Sequence, residues 1–146
     1  MIVVKTYEDK EDDDHPLDVQ SVEELCKSVF TDQGHADASL RLIITDDESL
    51  RKLKKEYFKQ DIYTDVIAFN LSDKDELIDS EVYVSIDRVL ENSSKFKQSF
   101  DNELKRVIVH GILHICGLRD GTSKERDEMT LNEDRLIEAH ASRVAI

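Results

Sequence analysis

Between Val107 and Leu118 the chain carries no acidic, lysine or arginine side chain, and His110 and His114 are the only imidazoles of that stretch. A helix that is apolar on every side belongs in a core, so the stretch ELKRVIVHGILHICGLRD from Glu103 to Asp120 is read as a buried helix around which the rest is arranged. His110 and His114 are one helical turn apart and project from one face. Gly117 offers a left-handed stop that turns the chain sharply, and Asp120 follows where it can fold back toward the imidazoles. The pattern is His-x-x-x-His-x-x-Gly-x-x-Asp.

Two imidazoles on one face and a third ligand from the following turn suit an open metal site, with the fourth position left to solvent or substrate. The predicted ligands are His110, His114 and Asp120. The spacing is that of the metzincin motif with two departures: Asp120 stands for the third histidine, and Gly111 for the glutamate that serves metalloproteases as general base. Glycine has no side chain for that work, so the metal reading survives and the protease reading weakens. The competing reading is a pair of hydrogen-bonded core histidines.

The block His110-Gly111-Ile112-Leu113-His114-Ile115-Cys116-Gly117 resembles the HGxLHLxG signature of the YbeY-type endoribonucleases. Tyr63-Thr64-Asp65-Val66-Ile67-Ala68-Phe69 resembles that family's PTDVLSF segment, with Tyr63 for proline. The resemblance spans nearly the whole chain. It implies a metal-dependent endoribonuclease of single-stranded RNA, acting in ribosomal-RNA maturation and ribosome quality control, with a ribosome connection. It also implies a mixed sheet with three parallel strands and one that is not. The family's third histidine is Asp120 here, and its arginine after the tyrosine of a YR element aligns with Phe58.

The 146 residues suit one domain, which the resemblance implies is a single metal-dependent hydrolase domain over 1–146, and 39% hydrophobic with 36% charged residues indicates a globular protein with a highly charged surface. No apolar run reaches membrane-span length and Met1–Tyr7 lacks a secretory pattern, so no membrane partner and a cytoplasmic location are expected. Cys26 and Cys116 make no disulfide framework, and Cys116 reads as a small core residue. A net charge of −13 opposes non-specific nucleic-acid binding. Arg51, Lys52, Lys54, Lys55 and Lys59 form a local basic cluster able to lead a short strand to a metal cleft, or simply a solvated helix face.

In chain order, Ile2–Tyr7 reads as a strand and Glu8–Asp14 as an acidic loop. A helix from Asp18 or Ser21 follows, with Ser21 and Glu24 in capping-box register and Val22, Leu25 and Val29 inward. Ser39–Thr45 is a strand, and Asp46 or Asp47 caps a helix to Phe58 with Leu50, Leu53 and Tyr57 inward. Thr64–Asn70 reads as a central strand, Ser72–Asp79 as a loop, and Glu81–Ile86 as a strand running into a helix over 87–97. Asp101 is the expected cap of the core helix, and a last helix over 123–142 buries Met129, Leu136 and Ile137 without a full capping box. Met129 either supports the metal from below or is an ordinary core methionine. His15, His35 and His140 read as surface residues. The fold class is α/β, a four-stranded mixed sheet packed with several helices around a zincin-like core helix.

One ion per chain is expected, zinc first, with manganese or iron admitted because a carboxylate ligand favours harder metals. Thr64, Asp65 and Lys59 are the candidate substrate contacts, and Asp65 is the one candidate base, provided the third strand ends near the metal. Two other readings use the same ligands: a zinc hydrolase of peptides or small molecules, and a non-catalytic ribosome-associated adaptor stabilised by metal. Metal identity, the scissile site and the oligomeric state are open at this level.

Overall fold

The computed structural model describes residues 1–10 and 14–146. Strands β1 (Ile2–Glu8), β2 (Ala38–Thr45), β3 (Val66–Asn70) and β4 (Ile78–Ser85) alternate with helices α1 (Val19–Asp32) and α2 (Asp47–Phe58); α3 (Ile86–Lys95), α4 (Phe100–Ile115) and α5 (Ser123–Ala139) complete the chain. The sheet order is β1-β2-β4-β3, with β1, β2 and β4 parallel and β3 antiparallel to β4. The sheet implied by resemblance is the sheet found. Glu8 closes β1 and is not loop, and residues 11–13 of the acidic tract lie outside the described residues. Among the described residues no helix is long and apolar enough to cross a membrane.

Alternation in β2 explains the layering. Leu40, Leu42 and Ile44 are fully buried and join Val82 and Val84 of β4 in one core with α1 and α4. Arg41, Glu81 and Tyr83 take the opposite, half-exposed face, where Arg41 Nε donates to Glu81 across β2 and β4 at 3.0 Å. On α1, Val22, Leu25, Val29 and Phe30 are buried as the stripe requires. Its cap is Asp18, which accepts from Ser21 N at 3.1 Å, so the Ser21–Glu24 box does not form and Ser21 lies inside the helix.

The central-strand reading of Thr64–Asn70 is corrected: β3 begins at Val66 and lies at the sheet edge. Its apolar run follows from cover on both sides, by α4 and by α2. Strand β4 begins at Ile78, earlier than the polar pattern suggested. On α2, Leu50 is buried, but Tyr57 is 60% exposed because the helix covers only part of the sheet; its ring meets Phe69 edge-on at 5.4 Å.

Helix α4 is buried along most of its length, as its composition requires. Its cap is Ser99 and not Asp101. Asp101 instead accepts from Val144 N at 2.7 Å and Ala145 N at 2.9 Å, tying the C-terminal segment to the core helix, and pairs with Lys105 at 3.3 Å. On α5, a full capping box does form, between Thr122 and Glu125. Met129 and Leu136 are buried. His15, His35 and His140 are half-buried and not free on the surface: His15 and His35 lie against Phe100 and Phe30, and His140 Nε2 is 3.0 Å from Ser21 Oγ.

At Gly111, α4 seats tightly against the sheet. A β-carbon there would lie 2.9 Å from Val82 Cγ1 and 3.0 Å from Val66 Cγ2, and neither valine can swing aside at its stiff χ1. Gly111→Ala is expected to lower unfolding stability, because overpacking costs about 1–3 kcal/mol against about 1 kcal/mol of helix propensity regained. A higher denaturant midpoint in the alanine variant would refute the packing requirement. Asp101 gives a pH-dependent prediction. Burial alone would raise its pKa, but the two backbone N–H groups and Lys105 outweigh burial and leave it lowered. Its contribution is therefore complete above the ordinary carboxylate range and fades as pH falls through its depressed folded pKa. Asp101→Ala should cost about 2 kcal/mol near neutrality, measured by urea unfolding, with the gap to wild type closing toward strongly acidic pH.

Candidate metal centre

The site is built at the end of α4. After Ile115 and the cap Cys116, Gly117 adopts φ +101°, with Gly117 N bonded to His114 O and Leu118 N to Leu113 O, both at 3.0 Å. This is a Schellman stop, and glycine supplies its left-handed residue without a Cβ penalty. The reversed chain brings Asp120 beside the helix face that holds the histidines.

His110 Nε2 and His114 Nε2 are 2.9 Å apart, and Asp120 Oδ2 is 3.4 Å and 3.2 Å from them. His110, His114 and Asp120 form the only group of three such side chains found among the described residues whose donor atoms could share a metal ion, all within 4.8 Å of one another. Each imidazole is held by its other nitrogen. His110 Nδ1 is 2.5 Å from Glu133 Oε2, and His114 Nδ1 is 3.0 Å from the Leu118 carbonyl of the Schellman turn. Engaging Nδ1 leaves Nε2 to face Asp120, the arrangement that orients metal-binding histidines. The residues present fit a divalent ion.

Glu133 is the residue that motif reading missed. It comes from α5, is 5% exposed, and its Oε1 accepts from Arg106 Nη1 at 3.0 Å. Arg106 Nη2 also donates to Asp134 at 2.6 Å. The signal was present: Met129, Glu133 and Leu136 are the buried positions of α5, and a carboxylate in an apolar stripe needs a partner. Burial opposes charging His110, but the bond and charge of Glu133, then Asp120 and Asp65, outweigh it and raise the His110 pKa.

The ligand face opens into a cleft of about 500 Å³ whose walls include Thr64, Asp65, Lys54 and Phe58. Asp65 lies just before β3, half-buried, with Asn92 Nδ2 donating to its Oδ2 at 3.3 Å. Burial raises its pKa, against the pull of His110 and of nearby backbone N–H groups. Thr64 lines the same wall. Lys59 does not: it is the left-handed residue ending α2 at φ 58°, its Nζ donates to Glu56 O at 3.4 Å, and Lys54 takes the cleft position instead. Cys116 is half-buried at the helix end, with burial pushing its thiol up to about 11, so it stays a protonated thiol at neutral pH.

A buried helix bearing two histidines, a glycine stop and a carboxylate, laid on a mixed sheet, places the molecule among α/β proteins with a zincin-like site able to hold a metal ion. The family profile described as Endoribonuclease YbeY matches residues 6–141. The chain belongs to that family. It is 42% identical over 98 residues to the endoribonuclease YbeY of Christiangramia forsetii, covering 67% of this chain and 68% of that one. It is 36% identical over 118 residues to the Flavobacterium johnsoniae protein of the same name, covering 81% and 84%. The solution structure of TM1509 from Thermotoga maritima superposes with a TM-score of 0.64 at 25% identity, covering 96% of this chain and 89% of that one.

Glu133→Gln keeps the shape of the side chain but removes the charge that holds His110. It is expected to weaken metal binding about 10–100-fold, read by competition with a chromophoric chelator, and to lower the melting temperature, because Arg106 loses its buried charge partner. Unchanged affinity would show that Glu133 serves packing alone.

Proposed function

We propose that the protein is a metal-dependent endoribonuclease that cleaves single-stranded RNA, with ribosomal-RNA precursors as its substrate and zinc as its ion, one per chain. The observation carrying this reading is the convergence of His110, His114 and Asp120 in one cleft with Thr64 and Asp65, in a chain that belongs to the endoribonuclease YbeY family. The Asp120 carboxylate also suits manganese or iron.

His110, His114 and Asp120 would hold the ion, with Glu133 and the Leu118 carbonyl fixing the two imidazole rings. When bound, the ion supplies Lewis acidity, polarising a phosphoryl oxygen and acidifying water. Asp65 is the proton acceptor available on the opposite wall, oriented by Asn92. The Thr64 hydroxyl lies beside it, with its Oγ1 donating to Val66 O at 3.4 Å, so it is held against the β3 edge and can position substrate.

The peptide-hydrolase alternative is disfavoured by Gly111. The space a general-base glutamate would need is filled by Val82 and Val66. A pure adaptor role leaves the cleft and its half-buried Asp65 without a use.

The test is cleavage of labelled single-stranded and duplex RNA by wild type, by His114→Ala and by Asp65→Asn. Wild type should cut the single strand, lose activity in chelator and regain it with zinc or manganese. His114→Ala should fall at least about 100-fold, and Asp65→Asn about 10²–10⁴-fold in kcat if it moves the proton. Cleavage that survives His114→Ala at the wild-type rate would sink the metal mechanism. Full turnover in Asp65→Asn would remove only the base assignment.

A further inference from the structure

The cleft has an aromatic end that the metal chemistry does not use. Phe58, the last residue of α2, is 44% exposed and lines the same cleft as His110, His114 and Asp120. Behind it lies a rigid aromatic base. Phe58 stacks on Phe69 of β3 at 5.9 Å and 25°, and Phe69 is braced edge-on by Tyr57 at 5.4 Å and by Tyr83 at 5.9 Å. A phenyl ring fixed from behind and 44% exposed can serve as a stacking platform.

Lys54, one turn earlier on α2, places Nζ 4.7 Å from the Phe58 ring centre and also lines the cleft. Among the described residues it makes no ion pair with a carboxylate, whereas Arg51 and Arg88 of the surrounding surface are committed to Asp61 and Asp47. Its ammonium is thus a cation near the cleft that can leave a ring face for a phosphate at small cost. In a chain of net charge −13, long-range attraction of RNA is weak, so affinity must come from short-range contacts. Base stacking on aromatic rings is such a contact and is tolerant of sequence.

We propose that Phe58 stacks a base of the single strand at the end of the cleft next to the metal ligands, and that Lys54 pairs with the backbone of the same strand. This rests on the endoribonuclease reading and adds the means by which substrate is gripped.

The experiment is steady-state cleavage of a short single-stranded RNA by the metal-loaded protein over a salt series, with wild type, Phe58→Leu, Phe58→Trp, Phe58→Arg and Lys54→Gln, and with binding of the same RNA followed by fluorescence anisotropy. Phe58→Leu should raise KM about tenfold while kcat stays within about twofold and the salt slope of kcat/KM is unchanged, because stacking releases no counterions. Phe58→Trp should restore KM. Phe58→Arg should steepen the slope by about 0.7, and Lys54→Gln should flatten it by about 0.7. Wild-type KM in Phe58→Leu, or a loss confined to kcat, overturns the stacking role and leaves the endoribonuclease reading intact. A wild-type protein that neither binds nor cuts the RNA overturns both.

Discussion

The close seating of α4 on the sheet at Gly111 governs the rest of the structure. It sets the depth of the helix, and with it the height at which His110 and His114 emerge at the edge of β3. A larger residue would lift the helix off Val82 and Val66 and carry both imidazoles away from Asp65 on the opposite wall. The same position shows why the metzincin motif is altered here. A glutamate after the first histidine needs space between helix and strand, and this fold has closed that space to bury apolar surface. A carboxylate facing the cleft must then come from elsewhere, and Asp65, just before β3, lines it.

Around His110 the core is polar in a limited and ordered way. Glu133 and Arg106 meet at 3.0 Å, and Asp65, Asn92 and Glu103 line the same small cavity. Glu103 is 4% exposed, and its pKa is raised by burial against the pull of Arg106. Buried carboxylates are costly unless paired, and an unbalanced group of them would loosen the helix ends they sit between. Arg106 lowers that cost by bridging Glu133 and Asp134 of α5, which also fixes α5 against α4. The network that orients a histidine thus also docks the last helix. Loss of either function would be felt in the other.

Much of the architecture could be read without coordinates. The uncharged run over 107–118 required a buried helix, Gly117 required a left-handed stop, and the alternation of Leu40, Leu42 and Ile44 required a strand with one buried face. Each of these depends on local spacing, which the chain displays directly. The errors share one origin. Asp101 has the composition of a helix cap, yet Val144 and Ala145 compete for its carboxylate from 43 and 44 residues away. The stretch after Asp65 has the composition of a central strand, yet it lies at the edge, covered by helices on both faces. Tyr57 holds an inward position of its helix, yet the sheet beneath ends too soon to bury it.

The site divides in the same way. By itself the sequence determined the grouping of His110, His114 and Asp120, because helical periodicity and a glycine stop bring those three together over a span of eleven residues. Only the tertiary structure decided which groups act on them. Glu133 reaches His110 from another helix, Asp65 and Lys54 face it across a cleft, and Lys59 turns away at a chain reversal. Contacts between distant segments depend on how helices seat on a sheet, and that seating is set by side-chain volumes summed over the whole core. Local spacing carries no record of it.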